Sequence, residues 1–226
     1  MNVARLVILP GTDGTGTLLS EFVASLGTLD SLVVSYPTDH ILGYEQLAEF
    51  VHPQLPTSNP YFLLGESFGG PLAILLAAQS SLCAGVILCA SFARYASPLS
   101  ALDPFAAIVP IRLVPLRLMS WFLLGQWSTP ALRDQLASAL GAVSPSVLRA
   151  RIRAALRVNA TPQLKAIDVP LLYLQASHDR IVPASASHSI ASSARHATLV
   201  RIAGPHFLLQ AAPQACAIEV RRFVGC

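Results

Sequence analysis

Charge is the scarcest commodity in this 226-residue chain. Asp, Glu, Lys and Arg make up 12% of it, against about a quarter in an average globular domain. The 15 basic and 12 acidic residues leave a net charge of +3 and are spread along the chain, so there is no electrostatic footprint for nucleic acid. Cysteine is sparse too. Cys83, Cys89, Cys216 and Cys226 have no C-x-x-C spacing and no accompanying histidine cluster, which argues against a zinc site and a disulfide framework. Cys83 and Cys89 lie in apolar runs and read as small core residues. No apolar run is long and clean: the greasiest stretch, 105–125, contains Pro110, Arg112, Pro115 and Arg117, which argues against a membrane-spanning helix. The opening MNVARLVILPG is too short for a signal peptide and lacks a small-residue cleavage site, so a cytoplasmic location is the default expectation. Internal repeats and low-complexity tracts are absent.

What is abundant is apolar material, at 53% of residues. That exceeds what disorder permits, and the length suits one α/β domain around one core. Short apolar runs without polar alternation recur at 5–9 (RLVIL), 32–35 (LVVS), 61–64 (YFLL), 85–89 (GVILC), 170–175 (PLLYLQ) and 198–202 (TLVRI). Such runs suit strands covered on both faces. Helical patterns at 43–51, 71–79, 184–193 and 208–224 separate or follow them. The alternation predicts an α/β fold: a mainly parallel central sheet of about six strands, helices on both faces, right-handed crossovers. It stops between 98 and 161, where six prolines punctuate an apolar segment. This segment is expected to be a helical cap inserted over the sheet, within a single domain spanning 1–226. Thr129-Pro130 and Ser144-Pro145 each read as an N-cap followed by proline at the first helical position.

Gly65-Glu66-Ser67-Phe68-Gly69-Gly70 fits G-x-S-x-G and sits between a strand pattern and a helix pattern, the context this motif requires. A sharp strand-to-helix turn forces the central serine into a strained conformation and places its hydroxyl at a helix N-terminus, where dipole and free amides favour negative charge. A second glycine-rich stretch, Pro10-Gly11-Thr12-Asp13-Gly14-Thr15-Gly16, follows the first strand. It has neither P-loop nor G-x-G-x-x-G order. It can supply an oxyanion donor, most simply the Thr12 amide, to complement the amide of Phe68. Asp13 either orients this loop or caps the helix after it. A serine nucleophile needs a base, and the base an orienting acid. His206, in Gly204-Pro205-His206-Phe207, follows the sixth strand, and Asp179, in Ser177-His178-Asp179-Arg180, follows the fifth. Both belong at the carboxyl edge of the sheet, whereas Asp168 precedes its strand and belongs at the other edge. The chain order Ser67, Asp179, His206 is the one expected of α/β-hydrolases.

LPGTDGTG, GESFGG, SHDRIVP and GPHF together resemble the α/β-hydrolase superfamily over nearly the whole chain. They are most similar to small bacterial serine esterases and to the hydrolase part of plant phytyl ester synthases. The resemblance implies Ser67 as nucleophile, His206 as base and Asp179 as acid, with Phe68 and Thr12 as oxyanion donors and no metal or cofactor. The chain departs from many relatives in having Pro10-Gly11 for His-Gly. Tyr36-Pro37-Thr38-Asp39 stands in place of a D-x-x-G-x-G-x-S loop, and the chain begins at what would be the third strand of the full fold.

The insertion is apolar enough to shape a pocket for a hydrophobic acyl chain. Trp121 and Phe122, with Gly11 and Asp13, are the candidate substrate contacts. Two other uses stay open: simple packing on the sheet, and a transient membrane contact with Arg112 and Arg117 at lipid headgroups. Arg149, Arg151, Arg153 and Arg157 read as a solvated helix face, the alternative being contact with an anionic acyl carrier. The expected activity is hydrolysis of a hydrophobic ester or thioester through an acyl-enzyme. Acyl transfer by the same triad, or ligand binding by a silent hydrolase fold, are the competing readings.

Overall fold

The computed structural model describes residues 5–95 and 114–225. Its centre is a six-stranded sheet with every neighbouring pair parallel, in the order β2-β1-β3-β4-β5-β6. The strands are β1 (Arg5–Leu9), β2 (Ser31–Val33), β3 (Tyr61–Glu66), β4 (Cys83–Cys89), β5 (Leu171–Ala176) and β6 (Ala197–Ile202). Parallel pairing requires a crossover between successive strands. Helices α1 (Ser20–Ser25), α2 (Tyr44–Val51), α3 (Gly69–Ala77) and α8 (Ala184–Ser193) supply or accompany those connections.

The strand sequences are apolar on both sides because both sides are covered. Along β1, Val7 and Leu9 pack with Leu47 of α2 and Leu72 of α3 in one core. Leu6 and Ile8 pack with Phe22 of α1 and with the C-terminal helices in a second core across the sheet. Those C-terminal helices are α9 (Leu208–Ala211) and α10 (Pro213–Val224). The single helix expected over 208–224 is therefore two. Pro213 has no N–H to continue the ladder, and Ala212 leaves the helical region at φ −138° and ψ 51°.

Between β4 and β5 lie α4 (Leu116–Leu123), α5 (Pro130–Gly141), α6 (Pro145–Arg157) and α7 (Thr161–Ala166). Of these, α4, α5 and α6 fall within 98–161, the span expected to be inserted, and α7 starts at its last residue. The first part of that span's greasiest stretch, with Ile108, Val109, Ile111 and Arg112, lies outside the described residues. Thr129 caps α5 as its sequence suggests, its side chain accepting from the Leu132 amide at 3.1 Å. Ser144 does not cap α6; its hydroxyl pairs with that of Ser146 at 2.7 Å. Among the described residues no helix is long and apolar enough to cross a membrane.

Candidate active site

The turn from β3 to α3 is sharp and closely packed. Ser67 sits at φ 48°, one of two non-glycine residues in the left-handed region among those described. Such a conformation costs about 1–3 kcal/mol and persists only where its surroundings over-determine it. They do so here. The Ser67 amide donates to the Cys89 carbonyl at 2.9 Å, and the Ser67 carbonyl accepts from Ser91 Oγ at 2.6 Å. The flanking glycines are steric necessities. A Cβ at Gly69 would strike the Leu9 carbonyl, and one at Gly65 the Gly69 carbonyl.

The serine hydroxyl meets His206 Nε2 at 2.9 Å. On the other side of the ring, His206 Nδ1 lies 2.9 and 3.0 Å from the two Asp179 carboxylate oxygens. With Nδ1 donating to the carboxylate, Nε2 is left to accept from Ser67. Asp179 is itself held, because Oδ1 accepts the Ile181 and Val182 amides, each at 2.8 Å. The loops carrying acid and histidine are stitched together by the His178 amide donating to the Gly204 carbonyl at 2.9 Å. His206 is 3% exposed. Burial alone would push its imidazole down. The Asp179 carboxylate, with Glu66 behind, overrides this and holds it above the ordinary 6.5. Asp168 lies elsewhere, paired with Arg195 and His196.

Two tyrosines brace the candidate oxyanion donors. Tyr44 stacks on the Phe68 ring at 4.7 Å between centroids and donates to the Phe68 carbonyl at 3.0 Å. Tyr36 donates to the Pro10 carbonyl at 3.2 Å. Asp13 orients its own loop rather than capping the next helix: Oδ2 accepts from the Thr15 amide at 3.0 Å and hydroxyl at 2.6 Å.

Ser67 and His206 open into a cavity of about 250 Å³. Gly11, Thr12 and Asp13 line its floor with them, and Met119, Leu123, Leu136, Leu140, Leu148 and Ile152 from α4, α5 and α6 form an aliphatic wall. Trp121 and Phe122 do not line it. On α4, Met119 and Leu123 are one turn apart and face the cavity, which turns the two aromatics elsewhere. They are 52% and 39% exposed, and Arg180 lies over the Trp121 ring at 4.1 Å while donating to its carbonyl at 2.6 Å.

Three polar residues at the site escaped the sequence reading. Glu66, buried beside Ser67, accepts from Gln210 Nε2 at 2.9 Å, and burial pushes its carboxyl up to about 7. Arg151 is 2% exposed, so it does not belong to a solvated face. It follows Val147 and Leu148, both buried, by one helical turn, and that spacing was the available signal. Among the described residues no group of His, Cys, Asp and Glu could hold a metal ion.

The Hydrolase_4 family, described as serine aminopeptidase S33, matches residues 31–206. A search of curated proteins returns no match. Among solved structures, the enol-lactonase of Burkholderia xenovorans LB400 superposes with a TM-score of 0.87 at 17% identity, over 100% of this chain and 93% of that one. A thermophilic esterase of Thermogutta terrifontis gives 0.83 at 20% identity, over 98% and 89%. A hydrolase of Pseudomonas aeruginosa PA01 gives 0.81 at 22% identity, over 99% and 90%. These likenesses are of fold, and the family match spans most of the chain. The chain belongs to the serine aminopeptidase S33 family and is an α/β-hydrolase.

Proposed function

We propose that the protein hydrolyses a carboxylic ester or thioester with an aliphatic acyl group, through an acyl-enzyme on Ser67. The observation that carries this reading is the unbroken hydrogen-bonded chain Asp179–His206–Ser67 opening onto an aliphatic cavity. His206 Nε2 takes the hydroxyl proton as Oγ bonds to the acyl carbon, and the carbonyl electrons move onto oxygen. The amides of Phe68 and Thr12 then face that oxyanion. The C–O or C–S bond breaks as His206 returns the proton to the leaving alcohol or thiol. A water deprotonated by the same histidine releases the acid.

The family description names aminopeptidases, and cleaving an N-terminal residue calls for a carboxylate free to hold an ammonium group. Of the two carboxyls lining the cavity, Asp13 already accepts two bonds from Thr15, and Glu66 is buried, pushed up to about 7 and bonded to Gln210. The wall is aliphatic. Both points favour an acyl chain over a peptide terminus.

At about 250 Å³ the cavity falls just below the usual range of ligand pockets, roughly 300–1,000 Å³, which favours a short to medium chain. Each buried methylene contributes about 0.8 kcal/mol, or about fourfold in kcat/KM. Across p-nitrophenyl esters of increasing acyl length, kcat/KM should climb at about that rate and fall once the cavity is full. Leucine p-nitroanilide should be a far poorer substrate. A profile flat or falling from acetate onward, or preference for the anilide, would contradict the reading.

A further inference from the structure

Arg151 is a guanidinium buried in a chain with little charge, and no carboxylate pairs with it among the described contacts. Its partners are backbone carbonyls. Nη1 donates to Thr12 O at 3.0 Å and to Asp13 O at 2.7 Å, and Nη2 donates to Pro37 O at 2.8 Å. Its Cζ lies 5.3 Å from the centre of the Tyr36 ring, the same tyrosine whose hydroxyl holds the Pro10 carbonyl. The loop is shaped to receive it. Gly14 adopts φ +68°, and a Cβ there would lie 2.5 Å from Arg151 Nη1 and 2.6 Å from the Tyr36 ring.

Burying a charge this deeply is costly unless every donor is used in good geometry. Tethering a loop that only needed to be closed would not require a cation. The three carbonyls gathered here belong to the segment that carries Thr12, the proposed oxyanion donor, which lines the cavity with Ser67, and to the Tyr36-Pro37 stretch. Hydrogen bonds to the Thr12 and Asp13 carbonyls fix the planes of the Thr12–Asp13 and Asp13–Gly14 peptide units, which directly follow the Thr12 amide and so limit its orientation. Arg151 further stands between Leu148 and Ile152, both on the cavity wall. One turn of α6 therefore touches the acyl space and the candidate oxyanion loop together.

We infer that Arg151 is a positioning residue: through its bonds to the Thr12, Asp13 and Pro37 carbonyls, the cap helix α6 holds the oxyanion loop in its catalytic shape. Arg151 touches no reacting atom. The inference rests on the acyl-enzyme reading above, because a loop that binds no oxyanion needs no such setting.

The test compares wild type with Arg151→Met, which keeps an unbranched apolar stem and removes all donors, and Arg151→Lys, which keeps the charge but cannot reach three carbonyls in a fixed fork. Active sites are titrated so that kcat refers to competent protein. The readouts are kcat and KM for p-nitrophenyl butyrate, the thermal midpoint, and Ki for an alkyl trifluoromethyl ketone. That ketone forms a hemiketal with Ser67 and places a negative oxygen in the oxyanion position. In Arg151→Met, kcat should fall by roughly 30-fold or more, below the loss of about 10²–10³ seen when an oxyanion donor is removed outright. KM should stay within about twofold, and Ki for the ketone should rise by the factor lost in kcat/KM. Arg151→Lys should recover part of both.

Titrated kcat and Ki within about twofold of wild type in both variants, with only the thermal midpoint lowered, would overturn the inference. So would a raised KM at constant kcat. Where Arg151→Met does not fold, the kcat and Ki of Arg151→Lys decide by the same criteria. Wild-type protein that neither turns over the ester nor binds the ketone would defeat the acyl-enzyme reading itself, an outcome separate from unchanged variants of an active enzyme.

Discussion

His206 must be neutral to accept the serine proton, and its surroundings favour the protonated form. Asp179 beside Nδ1 and Glu66 behind the ring outweigh the effect of burial and hold the imidazole above 6.5. The rising limb of kcat/KM against pH should therefore have its midpoint above 6.5. Glu66→Gln keeps the shape and the bond to Gln210 but removes a carboxyl that becomes negative as pH passes about 7, so the midpoint should move down. A limb unmoved by that substitution would mean that Glu66 does not act on the histidine. At this scale the sequence carried most of its information in types and order. Ser67, Asp179 and His206 were named from the strands they follow, and the fold brings them within hydrogen-bond distance. Glu66 was passed over because nothing local distinguishes a buried acid inside G-x-S-x-G from a variable one. Arg151 was grouped with Arg149, Arg153 and Arg157 by proximity along the chain; its helical phase with Val147 and Leu148 places it on the opposite, buried side.

The element that decides the site is the turn between β3 and α3. Gly69 approaches the end of β1 so closely that a methyl group would strike the Leu9 carbonyl, with the Pro10 carbonyl at 2.8 Å. Neither carbonyl can yield without shifting β1 or the glycine-rich loop that follows it. Gly69→Ala should lower stability by roughly 1–3 kcal/mol as an overpacking defect and reduce kcat through displaced loop amides. Chemical denaturation together with titrated kcat would check both effects, and a variant within error of wild type would refute the steric argument. The elements themselves were readable because strands buried on both faces are written as unbroken apolar runs. The break at Pro213 was also written in the sequence, as a proline inside a helical pattern. The cavity wall was harder to see. Trp121 and Phe122 attracted notice by size, but on α4 the inward positions are Met119 and Leu123, and only the orientation of that helix over the sheet decides between the pairs. The Tyr36-Pro37-Thr38 stretch, first visible as a departure from the usual loop, is a junction. Tyr36 holds Pro10, Pro37 receives Arg151, and the Thr38 carbonyl receives the Ser144 amide at 2.8 Å.

For the molecule as a whole, catalysis and stability pull on the same buried groups. Glu66 titrates at about 7 when folded against an ordinary 4.5. The folded state thus binds its proton more tightly than the unfolded chain does. Stability should fall as pH rises from about 4.5 to about 7, by roughly 3 kcal/mol from this group. His206, raised as well, adds a loss of the same sign as pH passes 6.5. Urea denaturation across this range should show the decline, and Glu66→Gln should flatten much of it. A stability that rises over the same range would contradict the sign. Two apolar layers carry the fold around these buried groups, and the helices between β4 and β5 reach the sheet loops through a few directed bonds: Arg151 to the Asp13 carbonyl, Arg180 to the Trp121 carbonyl, and the Phe207 amide to the Leu123 carbonyl at 3.0 Å.

The central claim is that Ser67 carries the acyl group. Intact-protein and peptide mass spectrometry after treatment with a fluorophosphonate, and after rapid quenching with a p-nitrophenyl ester, tests it directly. One adduct per chain on the peptide containing Ser67 is expected from each reagent. The adducts should vanish in Ser67→Ala, with kcat lowered by roughly 10⁴- to 10⁶-fold. Ester turnover with no adduct on that peptide, or near wild-type activity in Ser67→Ala, would contradict the account.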